Sequence, residues 1–283
     1  MAANNFSLNG NVNFYSQEEF LIKTNESGFK SINYIPNFFG GEEKKPLVFK
    51  NKTFQKVSFK STDIKYINFI NCKFYDCLFI GSKLINCEFI NCEFERTNTH
   101  KIKINNCLID PIQFKNNFEL KKDANIAVDL YHELYRNSKL EEQPKYANIS
   151  LYQMKLALSY NLNYKLNIGE IGKVKFYCEK TKDFFHKNFT GYGLRIDRIF
   201  ISFIIIVIVM SFLNFTLIDS FSDKMSGLVD SFYFTFVTVT TLGYGDITPE
   251  TNTSKIIIII ESVVGFVYMS LFVGAFINRV LRS

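Results

Sequence analysis

From Phe49 onward an apolar side chain returns at every fifth position, and no other feature constrains the fold of this chain as tightly. The series runs Phe49, Phe54, Phe59, Ile64, Phe69, Phe74, Phe79, Leu84, Phe89 and Phe94; Thr99 breaks it, and Ile104, Ile109 and Phe114 resume it. A helix repeats its faces every ~3.6 residues and a flat strand every ~2, so neither keeps such a register. Two residues before most of these centres stand small or branched side chains: Val57, Thr62, Cys72, Cys77, Ser82, Cys87, Cys92, Thr97 and Cys107. Repetition of this kind implies coils that bury their inner faces on one another. It also accounts for five of the six cysteines, whose spacing follows the period and not a zinc-ligand pattern. They read as reduced thiols packed as small hydrophobes.

The pattern resembles the pentapeptide-repeat family over roughly residues 46 to 116. That resemblance implies a right-handed quadrilateral β-helix, one repeat to a side, occupying a domain at 46–118. Outward positions carry both signs and lean basic (Lys50, Lys56, Lys60, Lys65 and Lys83 beside Asp76, Glu88, Glu93 and Glu95), which disfavours mimicry of DNA. The net charge of +6 is too slight to argue for nucleic acid as a partner. Residues 1–45 form a polar lead-in, where Phe29, Tyr34 and Phe39 fit either degenerate early repeats or a flexible segment.

A helical linker is expected over 119–198. Asp123 suits an N-cap, and Ile126, Ala127, Leu130, Tyr131 and Leu134 form a stripe at helical spacing. Pro144 suits the first turn of a second helix with Ala147, Leu151, Met154 and Leu158 on one face. Further on, Phe176, Phe184, Phe185 and Phe189 alternate with lysines, as in a helix lying on a membrane surface. Thr190-Gly191-Tyr192-Gly193 reads as a turn, and the three histidines stand apart with no metal constellation.

Two runs, Ile199 to Ile218 and Ile256 to Leu281, are long and apolar enough to cross a bilayer. Between them lie an amphipathic segment, Leu228 to Val239, and then Thr240-Thr241-Leu242-Gly243-Tyr244-Gly245-Asp246. Each glycine weakens a helix, and irregular backbone survives at membrane depth only when buried in protein or lining a wet path. The run resembles the selectivity filter of two-span potassium channels. The resemblance implies a domain at 199–283 with a pore helix and a re-entrant loop whose Thr241, Leu242, Gly243, Tyr244 and Gly245 bind permeating K+. It further implies support from Thr240, Asp246, Tyr233 and Val237, with Tyr244 braced on the pore helix. A hinge is implied at Gly265, with a packing glycine as the alternative, and an inner gate near Gly274 and Asn278. Potassium is the permeant ion, and no cofactor is expected. Because one chain carries one loop, the resemblance implies a homotetramer.

Two positions depart from the family pattern. Leu242 replaces the usual valine, and Val237 stands where some members place a glutamate paired with the filter aspartate, leaving Tyr233 as the partner for Asp246. Glu261 interrupts the second run and is costly there unless partnered, so a structural hydrogen bond behind the filter is expected of it.

The chain therefore reads as a multi-domain membrane protein: an N-terminal β-helix, a helical linker and an all-α two-span pore module. Arg195, Arg198, Arg279 and Arg282 flank the runs, while the loop between them carries Asp219, Asp223, Asp230, Asp246 and Glu250. The positive-inside rule then places both termini in the cytoplasm and the protein in the plasma or inner membrane. No apolar leader suggests a cleavable signal, and no nucleophile, acid–base pair or phosphate loop suggests an enzyme. The leading function is a potassium-selective channel whose cytoplasmic solenoid serves assembly or regulation, with gate control from the N-terminal half, lipid, the membrane field or a protein partner. A non-selective monovalent cation channel and a membrane-tethered scaffold are the alternatives.

Overall fold

A computed structural model describes residues 11–280 of the chain. It divides into two compact units, Met1–Lys180 and Thr181–Ser283.

The first unit opens with β1 (Val12–Phe14), α1 (Gln17–Ser27), β2 (Phe29–Tyr34) and β3 (Phe38–Gly40). Then come β4 (Leu47–Lys50), β5 (Thr53–Ser58), β6 (Asp63–Lys65), β7 (Ile67–Ile70) and β8 (Lys73–Tyr75). The strands end with β9 (Lys83–Ile85), β10 (Glu88–Ile90), β11 (Glu93–Glu95), β12 (Lys103–Asn105) and β13 (Leu108–Ile109). They form three parallel sheets, β1-β2-β5-β8-β11, β4-β7-β10-β13 and β3-β6-β9-β12. A fourth side is traced by the bridges from Ser58 to Leu78 and from Leu78 to Asn98. Phe54 pairs with Phe74, Ile64 with Leu84 and Phe69 with Phe89, so one circuit of the solenoid takes four five-residue repeats. Phe29 pairs with Phe54 and Phe39 with Ile64, one repeat more, because the segment between β3 and β4 folds out through a Glu42–Lys45 bridge.

The five-residue register is set by the backbone as well as by the core. Asn51, Lys56, Ser61, Tyr66, Asn71, Asp76, Gly81, Asn86, Asn91, Arg96, Lys101 and Asn106 all have positive φ. Each turns a corner two residues after an inward-facing side chain. Asn tolerates this left-handed conformation better than other side chains with a Cβ, which is why it recurs there. Inside, Phe54, Phe74, Phe94 and Phe114 stack in a column with ring centroids 4.8, 4.7 and 4.2 Å apart. The small slot is a donor position as well as a packing one. Cys72 and Cys77 point Sγ at the carbonyls of Phe49 and Phe54 in the preceding coil (3.4 and 3.3 Å), as Ser82 Oγ does at Phe59 (2.6 Å).

A solenoid end exposes backbone groups that the next coil would have satisfied. Here side chains take the place of the missing coil. At the start, Gln17 bonds both the N–H and the C=O of Gly40 (2.9 and 2.8 Å), while Phe20 plugs the core among Phe14, Phe29, Tyr34 and Phe39. At the other end Asn117 does the same for Thr97 (2.7 and 2.9 Å) and Asn137 for Cys107 (3.1 and 2.8 Å). The buried Glu133 accepts from Ile104 N–H and from Lys103 Nζ, and Arg136 donates to Ile104 O. Replacing Asn137 by Leu should orphan two buried backbone groups and cost about 2–4 kcal/mol. Thermal unfolding followed by the β signal in circular dichroism checks this, with the exposed Asn125→Leu as an unchanged control.

Asn117 lies just before a helical hairpin, α2 (Leu120–Leu140) and α3 (Pro144–Asn167), and Glu133, Arg136 and Asn137 lie on α2. Ala127, Leu130, Tyr131 and Leu134 bury the expected face of α2. Asp123 is not the N-cap: the helix begins at Leu120, and Asp123 sits inside it at a non-helical φ/ψ of −111° and 16°. Its carboxylate reaches back to accept the Glu119 N–H at 3.2 Å, which satisfies an orphan donor from within the first turn. On α3 the buried residues are Ala147, Ser150, Ala157 and Ser159, and Leu158 faces outward. A small-residue face lets α3 lie close to α2, a feature that apolar bulk alone does not indicate. The exposed α4 (Lys173–Phe185) follows and crosses the boundary between the two units.

Candidate functional site

The second unit is built on α5 (Ile196–Thr216), α6 (Leu228–Val239) and α7 (Asn252–Val280). Its two long helices meet the length and composition needed to cross a membrane. The side chain of Asn278, expected near an inner gate, lies outside the described residues.

Helix α6 starts where Asp230 in its first turn accepts from both the N–H and the hydroxyl of Ser226 (2.9 and 2.7 Å). It buries Ser231, Phe234, Thr235, Val237 and Val239. At its end Thr240 turns its hydroxyl back on the Phe236 carbonyl (2.6 Å) and the chain leaves the helix. The following loop doubles back on α6: the N–H groups of Leu242 and Gly243 both donate to the Val237 carbonyl, at 3.0 and 3.3 Å.

Within the loop every second residue is left-handed: Thr241 at φ 61°, Gly243 at 55° and Gly245 at 74°. In an ordinary strand successive carbonyls point to opposite sides. A backbone that alternates in hand can instead keep them on one side. Two of the three positions are glycines, which adopt this conformation without steric cost. Thr241 is β-branched, and a positive φ there is strained backbone of the kind that collects at functional sites. On the single chain residues 241–246 all face outward.

The loop continues into a braced outer segment. Tyr233 Oη donates to Asp246 Oδ2 at 2.7 Å, which holds the Asp246 carboxyl below the usual carboxylate range. Ile247 packs with Phe221, Met225 and Phe234. Phe221 bridges to Pro249, and Ser254 Oγ donates to Ser220 O at 2.9 Å. The Tyr244 ring is 66% exposed, and among the described residues no aromatic contact joins it to the rings of its own α6. Replacing Tyr233 by Phe removes the Asp246 bond with little change of shape. The outer segment should then open more readily, read as several-fold faster amide hydrogen exchange at Asp246 and Ile247.

On α7, Gly265 lies against α6 so closely that a Cβ there would stand 2.3 Å from the Val239 carbonyl oxygen. Gly274 faces open space. Val237 is buried behind the loop, and Leu242 points outward at 57% exposure. Glu261 is fully buried and accepts from Asn214. Asn214 and its second partner, Thr235, are site residues that the sequence reading does not single out. A polar amide inside an apolar run is the signal that could have found Asn214.

Two separate segments of the chain match known families. Residues 197–282 match the ion channel family, and residues 63–98 match pentapeptide repeats in eight copies. Over 64 residues the chain is 42% identical to two-pore potassium channel 4 of Arabidopsis thaliana, covering 22% of each protein. Over 60 residues it is 38% identical to a hyperpolarization-activated voltage-gated potassium channel of Methanocaldococcus jannaschii, covering 21% of this chain and 29% of that one. The chain thus spans less than a third of the length of these curated relatives. The chain carries a domain of the ion channel family at residues 197–282, preceded by a β-solenoid of pentapeptide repeats.

Proposed function

We propose that four copies of the chain assemble into a potassium-selective channel. Their loops from Thr241 to Gly245 face one another across the axis, and K+ exchanges its water for the carbonyls of Thr241, Leu242, Gly243, Tyr244 and Gly245. The observation that carries this reading is the alternation of left-handed φ at Thr241, Gly243 and Gly245, in a loop hydrogen-bonded to the end of α6. A loop that aligned its oxygens for any other purpose would not need to sit between two membrane-length apolar helices.

Thr240, Tyr233, Val237 and Asp246 support the loop, and Tyr244 braces against a neighbouring copy. The potassium channels among the relatives favour the same ion. Arginines at the outer ends of the module and carboxylates between the spans favour a cytoplasmic solenoid. There it serves assembly or regulation.

The test is potassium efflux from liposomes holding the purified chain. Efflux that barium blocks and that sodium cannot replace supports the reading. Protein that reconstitutes as a tetramer but passes neither ion overturns it in favour of a membrane-tethered scaffold.

A further inference from the structure

Three polar side chains from three helices meet in the otherwise apolar interior of the second unit. Asn214 of α5, Thr235 of α6 and Glu261 of α7 are each fully buried. The Asn214 Nδ2 donates to Thr235 Oγ1 at 2.8 Å and to Glu261 Oε1 at 2.7 Å, so its two hydrogens tie all three helices together. An unpaired carboxylate is the costliest group that can be placed in such surroundings. Among the described residues no Lys, Arg or His pairs with Glu261.

The hydrogen-bond count is incomplete in a specific way. Glu261 Oε2 and Asn214 Oδ1 are both buried and both lack a partner. Both are acceptors when the glutamate is ionised, and buried acceptors are seldom left unpaired. A single proton on Oε2 supplies the donor that each lacks. The amide and the acid then form a cyclic pair: N–H to Oε1 in one direction and O–H to Oδ1 in the other. The ring needs no water and no counter-ion.

We infer that Glu261 is a neutral carboxylic acid, paired with Asn214, and that the pair positions the filter loop through Thr235. The inference rests on the proposed channel function. The path is short. Thr235 lies two residues before Val237, whose carbonyl receives the N–H groups of Leu242 and Gly243. On α7, Gly265 is one turn beyond Glu261 on the same face and presses on the Val239 backbone. Both contacts fix α6 against the long helices, and α6 fixes the loop. Glu261 is thus a positioning residue that never touches the ion.

Three variants in the full-length reconstituted protein test this, read by the ratio of potassium to sodium permeability. Glu261→Gln has the hydrogen-bonding pattern of the neutral acid and should stay within about two-fold of the parent. Thr235→Val keeps shape but severs the link to α6, and should lower the ratio about ten-fold, with tetramer content unchanged. Glu261→Leu should lower it at least as far. An unchanged ratio in Thr235→Val overturns the positioning role, and it does so even if Glu261→Leu fails to assemble. Loss of selectivity in Glu261→Gln overturns the neutral acid. Infrared difference spectra read the acid independently of flux: the carbonyl stretch of a protonated carboxyl should be present in the parent and lost in Glu261→Gln. A parent that conducts no potassium but shows that band would defeat the channel reading and leave the acid–amide pair standing; a parent without the band overturns the pair.

Discussion

Replacing Gly243 by alanine is expected to abolish potassium flux while leaving the solenoid and the two long helices folded. The residue stands at φ 55°, and an added methyl would meet nothing within 4 Å, so the loss would come from the backbone and not from a clash within the chain. An L-residue with a Cβ disfavours the left-handed region by roughly 1–2 kcal/mol. Four copies in one ring would multiply that to roughly 4–8 kcal/mol, enough to flip the peptide rather than bear the strain. Flipping it would turn one carbonyl of the row away and present an N–H to the ion. Gly245→Ala, at φ 74°, should behave alike. Flux assays on tetramers of matched amount check both. Parent-level flux in Gly243→Ala would mean that the alternating backbone is not what conducts.

The second large effect is expected at Gly265. An alanine methyl would lie 2.3 Å from the Val239 carbonyl oxygen and 2.8 Å from its Cα. Those are backbone atoms at the end of α6, so no side chain can move aside. Overpacking of this kind costs about 1–3 kcal/mol in each chain. It would also push α7 away from the helix on which the loop from Thr241 to Gly245 folds back. The close approach favours a packing role over the hinge that family resemblance implies, and the two separate cleanly. If packing dominates, Gly265→Ala tetramers melt at lower temperature and lose flux together. If the hinge dominates, the tetramer is as stable as the parent and only its opening suffers.

The five-residue period makes the solenoid legible because each inward side chain repeats the same local geometry. The corner positions are equally periodic but harder to read, since Asn51, Asn71, Asn86, Asn91 and Asn106 look like ordinary polar surface until their positive φ is seen. The caps are not legible at all. Gln17, Asn117 and Asn137 act on backbone 20 to 30 residues away, and one sequence carries no trace of such a pairing. The same holds for Asn214 and Glu261, 47 residues apart, each visible as a polar interruption but not as a pair. Asp123 departs from its expected place for a local reason. Its carboxylate caps from inside the first turn, where spacing alone suggests the residue just before it.

The measurement that bears most directly on the central claim is the reversal potential of single channels in a planar bilayer, with potassium on one side and sodium on the other. A row of carbonyls replacing the hydration shell of K+ predicts a reversal potential displaced strongly toward the potassium equilibrium value, and a collapse of that current in Gly243→Ala. A reversal potential near zero, with sodium carrying current as readily as potassium, would contradict it and leave an unselective cation pore.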